Sequence, residues 1–583
     1  MKYTLRGSTN ENLVERIFEN RKVDIEQRNT FLRPSASCVM NPLVYDNMDL
    51  GFELYNKHLQ LGNKILFVVD SDADGYCSSA TIINYTRKTL GYNNIVYVMH
   101  ESKKHGITKE ILAEIYAHKP SLVVVADAGS ADYKAHEELA SKGIEVLVID
   151  HHECEKYSEH AVVINNQLSE NGNKTLSGAG MVLKFLEYLD MKYEIDHAPY
   201  YYDLVAIALV ADGMVMTEEE TRYYVLEGLD NIYNPFLQSL TGGSADGTFE
   251  YIGYNVAPNI NAIIRVGDEK TKSDLFDAMI CEDRMEVIKL RGQGDVEMPL
   301  PQYIMKMADR LKSKQTREVK KILDAKDTIV VTENYPITFL IHENEDAQSL
   351  SGLIANRLVD KYNKPALVLM KKEQVIKNGE DEVVKVRYDG SARSTSGFKN
   401  FKDYLDKTKK FLYCAGHQGA FGISIESKEF SELMTILMHQ SLPNEENCHV
   451  VDKAYLDGKV TATEILEVGE MKDYWCKGFE KPTFYIKLKN VDASDIVTMG
   501  ATGNTIKITS NYINYIKFRC TNEELNVLLA DGQKDIELIG TFNINEWNGR
   551  SFPQVIIEDI EIKESEENPF EDFDFSNFNA FGI

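Results

Sequence analysis

One short pattern, an apolar run that ends in an aspartate, recurs in the first half of this chain. Residues 65–69 read ILFVV and lead directly into DSDADG at 70–75, after which a helical pattern begins. A continuous apolar run of this length is typical of a strand that is buried on both faces of a parallel sheet. The pattern returns at 122–127, at 144–150 and at 204–212. We therefore predict four buried strands, each of which ends in a carboxylate.

The carboxylates after these strands should lie close together, because the carboxyl ends of parallel strands meet at one edge of the sheet. So many negative charges repel one another unless a cation neutralises them. For residues 70–75 alone, a helix N-cap at Asp74 is an equally good explanation. The recurrence favours two divalent ions of the Mg²⁺ or Mn²⁺ type, which suit oxygen and imidazole ligands. The acidic and histidine side chains concerned are Asp70, Asp72, Asp74, Asp127, Asp150, His151, His152 and Asp212.

Further motifs follow in a fixed order along nearly the whole chain. They are DSDADG (70–75), VVADAGS (124–130), DHH (150–152), SGAG (177–180), LVAIALVADGM (204–214), APNINAIIR (257–265), GSARS (390–394) and AGHQGAFGISI (415–425). Together they resemble the DHH phosphoesterase superfamily, and within it the RecJ-type single-strand-specific exonucleases. The resemblance implies a metal-dependent enzyme that hydrolyses single-stranded DNA from its 5′ end, in repair or recombination.

The resemblance also implies a role for each candidate ligand. Asp72 and Asp127 would hold one metal ion, with Asp70 completing its coordination. Asp150 would orient a histidine rather than bind a metal, and His152 would face the phosphate as electrophile or general acid. Asp127 would bridge the two ions, which is the arrangement of two-metal phosphodiester hydrolysis. The second ion would be held by Asp74, Asp127, His151 and Asp212.

A second group of residues matches the positions that grip the substrate phosphate in the family. An arginine suits this task because its planar fork donates two parallel hydrogen bonds to phosphate oxygens. For Arg265, a salt bridge at the junction of two lobes is the alternative. The chain departs from the family within residues 100–108, because Ser102 stands where an arginine is usual; Lys103 or Lys104 would supply the charge instead. The matching positions are Arg265, Ser391, Arg393 and His417.

At 583 residues the chain is too long for one hydrophobic core. Alternating strand and helix patterns predict a mostly parallel, doubly wound α/β sheet, joined by a long helix to a second α/β domain. The later sequence predicts an all-β, OB-fold-like barrel, whose first strand would be residues 460–465. The resemblance implies an OB-fold that stacks bases on exposed aromatic residues, and the sequence does not say which of Tyr485, Phe518 and Trp547 is exposed; for any one of them we expect a barrel-core position. The expected domains are a helical lead-in (1–60), a DHH domain (61–300), a connecting helix (301–326), a DHH-associated domain (327–447), the OB-like domain (448–562) and an acidic, disordered tail (563–583).

The net charge of −27 opposes binding to a nucleic acid, so any path for DNA must be locally basic. Residues 306–326 and 385–410 are rich in Lys and Arg, although a solvated surface explains the first equally well. The eight cysteines are scattered and form no Cys-x-x-Cys pair, which fits a reducing compartment. No uncharged apolar run approaches the ~18 residues of a membrane span. We expect a cytoplasmic monomer.

Two other functions stay open from the sequence. A DHH phosphodiesterase of short oligonucleotides or cyclic dinucleotides would not need the domain at 448–562. A non-catalytic single-strand-binding scaffold of a replisome would tend to lose metal ligands, and this chain keeps all of them. The tail combines acidic residues with five phenylalanines. It could dock a single-strand-binding protein or another replication partner, fold back onto the DNA groove, or be inert.

Overall fold

In the computed structural model the chain divides into two units. The larger unit consists of residues 29–445 and 476–479, and the smaller of residues 1–28, 446–475 and 480–583. The residues that the structure describes are 1–101, 104–242, 248–325, 328–343, 345–378, 381–395, 398, 400–438, 440, 449–500, 503–547 and 549–564.

A five-stranded, wholly parallel sheet lies at the centre of the larger unit. Alternate side chains of each strand enter different cores, so that Phe67 and Val69 pack on one face while Leu66 and Val68 pack on the other. Burial on both faces explains why these strands are unbroken apolar runs. The doubly wound, parallel α/β fold is thereby confirmed. In spatial order the strands are Ile95–Met99, Ile65–Val69, Leu122–Ala126, Glu145–Asp150 and Val162–Asn165.

The fourth predicted strand, residues 204–210, is wrong. These residues lie in the helix Tyr202–Ala211, which is almost completely buried. An apolar run with no polar face fits a buried helix as well as a buried strand, so periodicity could not separate the two. Within the described residues, ten α-helices of at least seven residues lie between residues 48 and 279. They are Met48–Gln60, Ala73–Asn84, Lys109–His118, Tyr133–Ser141, Gly178–Tyr193, Tyr202–Ala211, Glu219–Asp230, Pro235–Thr241, Ala257–Val266 and Glu269–Met279.

A long amphipathic helix, Leu300–Leu323, leads to a second lobe of the same unit. A two-stranded hairpin, Met285–Leu290 with Gly294–Pro299, precedes it. The second lobe contains a six-stranded mixed sheet and the helices Ser351–Tyr362, Phe401–Asp406 and Ser427–Leu437. In spatial order its strands are Tyr413–His417, Ala420–Glu426, Asp381–Arg393, Ala366–Asn378, Thr338–His342 and Thr328–Val331.

The smaller unit is rich in strands, as predicted, but it is not all-β. Residues 462–469 form a helix, Ala462–Gly469, where we expected the first strand. Thr461 and Glu464 make a reciprocal capping box at its N-terminus, a helix-start signal that outweighs the β-branched residues around it. The other helices are Leu13–Asn20 and Asn522–Leu529. The seven-stranded sheet runs in the order Lys453–Tyr455, Phe484–Val491, Lys534–Trp547, Arg550–Glu564, Ile513–Lys517, Thr505–Ser510 and Ile496–Met499.

Other features of the smaller unit differ from expectation. The lead-in begins with a short strand, Tyr3–Leu5, which pairs in parallel with His449–Val451. Tyr485 is buried as expected, but Phe518 is 56% exposed, so its predicted core position is wrong. The side chain of Trp547 and the tail from residue 565 lie outside the described residues. Within the described chain, no helix is both long and apolar enough to span a membrane.

Candidate metal centre

Three of the predicted acidic site residues stand at the ends of neighbouring strands of the parallel sheet. Asp70 and Asp127 directly follow a pair of residues that are in register, and Asp127 and Asp150 do the same on the next two strands. Neighbouring strands are about 4.8 Å apart, so the sheet itself brings these carboxyl groups together. All three are buried.

Asp74 lies in the first turn of one helix and is hydrogen-bonded to the amino end of a second helix. The helix Ala73–Asn84 carries Asp74 in its first turn, with Asp72 rather than Asp74 as its N-cap. Both oxygens of Asp74 accept hydrogen bonds from the start of the helix Gly178–Tyr193: Gly178 N donates at 2.8 Å, Ala179 N at 3.0 Å and Ser177 Oγ at 3.0 Å. A helix N-terminus stabilises an anion in this way. The SGAG motif therefore fixes the orientation of a predicted metal ligand.

The His151 imidazole lies among three carboxylates. Its Nε2 atom is 3.2 Å from Asp127 Oδ1, 3.7 Å from Asp212 Oδ2 and 3.8 Å from Asp74 Oδ2. Burial lowers the pKa of His151, so its imidazole is neutral near pH 7 and offers a lone pair. The three carboxylates of the predicted second set therefore surround the His151 imidazole, and Asp212 reaches it from the end of a helix. Ligand atoms of Asp74, His151 and Asp212 lie within 4.8 Å of one another, and those of Asp127, His151 and His152 form a second such group.

The negative charges of these acidic residues repel one another. Burial, followed by the charges of Asp74, Asp72, Asp70 and Asp212, raises the pKa of Asp127 well above its ordinary value. Burial and the charges of Asp74 and Asp72 raise the pKa of Asp212 to about 8. Such a group of carboxylates is fully ionised near neutral pH only when cations compensate the charge.

Asp127 itself shows two signs of a metal ligand. Its Oδ1 atom is buried and accepts no hydrogen bond from the part of the chain that the structure describes. Its backbone adopts φ +67°, in the left-handed region that a residue with a Cβ rarely occupies and that is often found at functional sites. The donor set consists of hard oxygens with imidazole nitrogen, so it fits Mn²⁺ or Mg²⁺.

The second histidine of the DHH motif is in a different electrostatic state. Asp150 Oδ1 lies 2.8 Å from His152 Nδ1 and accepts the backbone N–H groups of His151 and His152. Burial alone would lower the pKa of His152, but the hydrogen bond to Asp150 and its charge raise it to about 9. His152 is also 57% exposed, against 10% for His151. It is therefore a cation that faces open space beside the carboxylates.

One residue that the sequence analysis missed joins this group. His105 Nδ1 lies 2.6 Å from Asp70 Oδ2, and ligand atoms of Asp70, Asp72 and His105 all lie within 4.8 Å of one another. From the sequence, residues 100–108 were notable for the missing arginine and not for His105. The strand Ile95–Met99 could have indicated the position of His105, because it pairs in parallel with residues 65–69 and its carboxyl end lies at the same edge of the sheet as Asp70.

Two of the predicted phosphate-binding residues, Arg265 and Arg393, interact electrostatically with Asp72 or with each other. The charge of Asp72 raises the pKa of Arg265, while burial lowers it by more. Burial and then the like charge of Arg265 lower the pKa of Arg393. The like charges of these two partly buried guanidinium groups are unfavourable to each other, and an anion would relieve that repulsion.

The strands of the second lobe align the remaining predicted phosphate-binding residues. Arg393 and His417 both pair with Ala420, from opposite sides, and Ser391 is two residues before Arg393 on the same strand. Ser391 Oγ lies 2.8 Å from Ser351 Oγ. The side chain of His417 and all of Lys103 lie outside the described residues. Lys104 is described, and its Nζ atom is paired with Glu110 Oε1 at 2.9 Å.

Comparison with known proteins identifies two matching families. The chain matches the DHH family, N-terminal domain, over residues 64–209, and the RecJ OB domain over residues 457–559. A Bacillus subtilis protein, the SPbeta prophage-derived single-strand DNA-specific exonuclease YorK, is 33% identical over 584 residues, which cover 96% of this chain and 98% of that protein. The single-stranded-DNA-specific exonuclease RecJ of Bacillus subtilis is 25% identical over 95% of this chain and 67% of its own length.

Two solved structures share the fold. RecJ from Thermus thermophilus in complex with Mn²⁺ matches with a TM-score of 0.72 at 18% identity, over 95% of this chain and 76% of that one. An exonuclease RecJ bound to manganese matches with a TM-score of 0.52 at 19% identity, over 69% of this chain and 95% of that one.

Proposed function

Because this chain belongs to the RecJ family of single-strand DNA-specific exonucleases, we propose that it removes nucleotides from the 5′ end of single-stranded DNA by metal-dependent hydrolysis. The observation that carries the proposal is the convergence of buried, mutually repelling carboxylates on the neutral His151 imidazole. The full-length similarity to YorK and RecJ supports the substrate class. The cellular role that we propose is DNA repair or recombination.

Two ions would share Asp127. Asp70 and Asp72 would hold the first ion with it, and Asp74, His151 and Asp212 would hold the second. When bound, two such ions supply a nucleophile and neutralise the charge of the leaving oxygen. Asp127 suits the shared position because one of its buried oxygens accepts no hydrogen bond within the described part of the chain.

The remaining residues would act on the phosphate itself. His152 is protonated near pH 7 and exposed, so it would donate to a phosphate oxygen or to the leaving oxygen. Asp150 would keep His152 charged and oriented through the 2.8 Å contact. Arg265 of the first lobe and Arg393 of the second would both donate hydrogen bonds to the phosphate. Ser391 and His417 would bind it beside them. Lys103 or Lys104 would serve the terminal phosphate, although Lys104 would first have to leave Glu110.

The smaller unit would contact the bases of the single strand. Phe518, the residue directly after the strand Ile513–Lys517, is largely exposed, and exposed aromatics stack on bases without regard to sequence. We also propose that the enzyme works as a cytoplasmic monomer. The seven cysteines within the described residues form no disulfide, which is compatible with a reducing compartment. We also propose that residues 563–583 dock a single-strand-binding protein or another replication partner, the alternatives being a tail that folds back onto the DNA groove and an inert tail.

End-labelled single strands test the proposal. With Mn²⁺ present, a 5′ label should appear in mononucleotides from the first turnovers, whereas a 3′ label should stay on long products until late. Asp127→Ala should lower turnover by more than about 100-fold, because loss of a group that only supports a metal ligand already costs up to about 100-fold. It should leave strand binding largely intact. Early release of the 3′ label would refute the polarity. Tight strand binding without any Mn²⁺- or Mg²⁺-dependent cleavage would favour a scaffold instead.

A further inference from the structure

His105 is built into the acidic edge of the sheet rather than lying there by chance. On one side of it, Ser71 Oγ donates to the carbonyl oxygen of Lys104 at 2.6 Å. On the other side, Gly106 N donates to Asp70 Oδ1 at 3.2 Å. The loop is therefore tied to the strand end at the residues immediately before and after His105.

A further contact anchors the same loop from the opposite side. Ile107 N donates to Asp132 Oδ2 at 2.7 Å. Gly106 adopts φ +68°, and a Cβ there would overlap the Asp132 carboxylate. Only glycine accommodates both the close approach and the left-handed backbone without strain. The imidazole is thus held in place by the chain on both sides.

The imidazole nitrogen faces two of the proposed ligands of the first ion. His105 Nδ1 is 2.6 Å from Asp70 Oδ2, and Asp72 offers an oxygen within 4.8 Å of both. This grouping parallels the second ion's set, in which His151 Nε2 lies 3.2 Å from Asp127 Oδ1 and near Asp212 and Asp74. In both sets one imidazole nitrogen lies among carboxylate oxygens.

We propose that His105 is a nitrogen ligand of the first metal ion, beside Asp70 and Asp72, so that each of the two ions has one imidazole ligand. The inference rests on the proposed metal-dependent function. To bind, Nδ1 carries no proton, and the neutral ring keeps its proton on Nε2. An imidazole ligand favours Mn²⁺ over Mg²⁺, because Mg²⁺ prefers oxygen ligands. The first site should therefore discriminate between these two ions.

Pulsed electron paramagnetic resonance of the Mn²⁺-loaded full chain tests the ligand directly, since it detects ¹⁴N nuclei bound to Mn²⁺. The wild type, with two equivalents of Mn²⁺, should show nitrogen coupling at both ions. His105→Gln should lose the coupling at one ion and His151→Gln at the other. In His105→Gln, calorimetry should give an affinity of the first site for Mn²⁺ that is at least about 10-fold weaker, at the lower end of what altered coordination spheres cost.

A conservative variant separates ligation from folding. His105→Asp keeps a ligand but not the nitrogen, so it should restore Mn²⁺ binding without restoring the coupling, and it should lower the preference for Mn²⁺ over Mg²⁺. His160→Gln, an exposed histidine, is the matched surface control and should change neither readout. Unchanged nitrogen coupling at both ions in His105→Gln and His105→Asp would refute the proposal and leave His105 as a hydrogen-bond partner of Asp70. Failure of the wild type to bind Mn²⁺ would instead refute the proposed function.

Discussion

At the scale of single residues, the most informative contrast is between the adjacent histidines His151 and His152. Both belong to the DHH motif and follow Asp150 in the sequence. His151 is buried among carboxylates and neutral, whereas His152 is exposed, hydrogen-bonded to Asp150 and charged. Asp150 makes the difference, because its carboxylate accepts from His152 Nδ1 and from two backbone N–H groups. The proposed metal ligand and the proposed proton donor are thereby placed side by side.

This contrast predicts a pH dependence. The pKa of His152 is raised, so its charged form is present below about pH 9 and lost as the pH rises through that value. In Asp150→Asn the supporting charge is gone and burial lowers the pKa of His152, so the charged form should already be lost near or below pH 6.5. At pH 8 we expect turnover to fall by at least about 100-fold, which is typical of a lost general acid.

The pH profile of turnover checks this prediction. Asp150→Asn should regain part of its activity as the pH is lowered towards 6, whereas His160→Gln should follow the wild type throughout. If Asp150→Asn loses activity on the alkaline side at the same pH as the wild type, the role assigned to Asp150 is wrong.

Arg393 carries the second prediction at this scale. Arg393→Ala should weaken binding of a single strand by roughly 10-fold or more, because it removes charge-assisted hydrogen bonds to phosphate worth about 1.5–3 kcal/mol. Metal content should not change. Arg357→Ala, an exposed arginine of the helix Ser351–Tyr362, is the matched control and should bind as the wild type does. A drop in metal occupancy with normal strand binding would contradict the assignment.

At the scale of elements, the site depends on a helix whose first turn contains only small residues. Ser177, Gly178 and Ala179 bind Asp74, and the same turn passes directly over Asp127. A Cβ added at Gly178 would overlap the Cβ and carboxylate of Asp127. The glycine at position 178 is therefore explained by the close approach of this helix to Asp127, which is a packing requirement.

Gly178→Ala tests this explanation. The extra methyl group should displace Asp127 or the helix, and lower Mn²⁺ affinity by about 10-fold or more, with a destabilisation of about 1–3 kcal/mol from overpacking. Gly253→Ala is the matched control, since the nearest atom to a Cβ there is 3.9 Å away. Calorimetric Mn²⁺ titration together with thermal unfolding distinguishes them. Wild-type Mn²⁺ affinity in Gly178→Ala would show that the turn does not constrain Asp127.

At the scale of the whole molecule, a strongly acidic protein has to bind an acidic polymer. The net charge is −27, so attraction must come from local groups such as Arg265 and Arg393. The long helix Leu300–Leu323 adds exposed cations on one side, among them Arg310, Lys314 and Arg317. The acidic, phenylalanine-containing tail at 563–583 then matters, because it would compete with DNA wherever it touched these groups.

Deletion of residues 564–583 distinguishes the roles of this tail. If it docks a partner, the truncated enzyme should keep wild-type nuclease kinetics but lose capture of a single-strand-binding protein in a pull-down. If it folds back onto the DNA groove, single-strand binding should become tighter at low salt, and the gain should fade as salt screens the acidic residues. A truncated protein that matches the full chain in both assays would show that the tail is inert.

The sequence by itself determined those parts of this protein that follow from local patterns. Buried strands such as 65–69 and 122–126 are unbroken apolar runs because both of their faces are covered, and the aspartates that end them must meet at one edge of a parallel sheet. Tertiary structure alone decided what depends on distant packing. It made residues 204–210 a helix, where a wholly buried apolar run has no periodicity that separates a helix from a strand. It brought His105 to Asp70, because the path of the loop after the strand Ile95–Met99 depends on contacts with residues distant in the sequence. It also set the opposite charge states of His151 and His152, since burial and partners determine a pKa and neither is written in residue order.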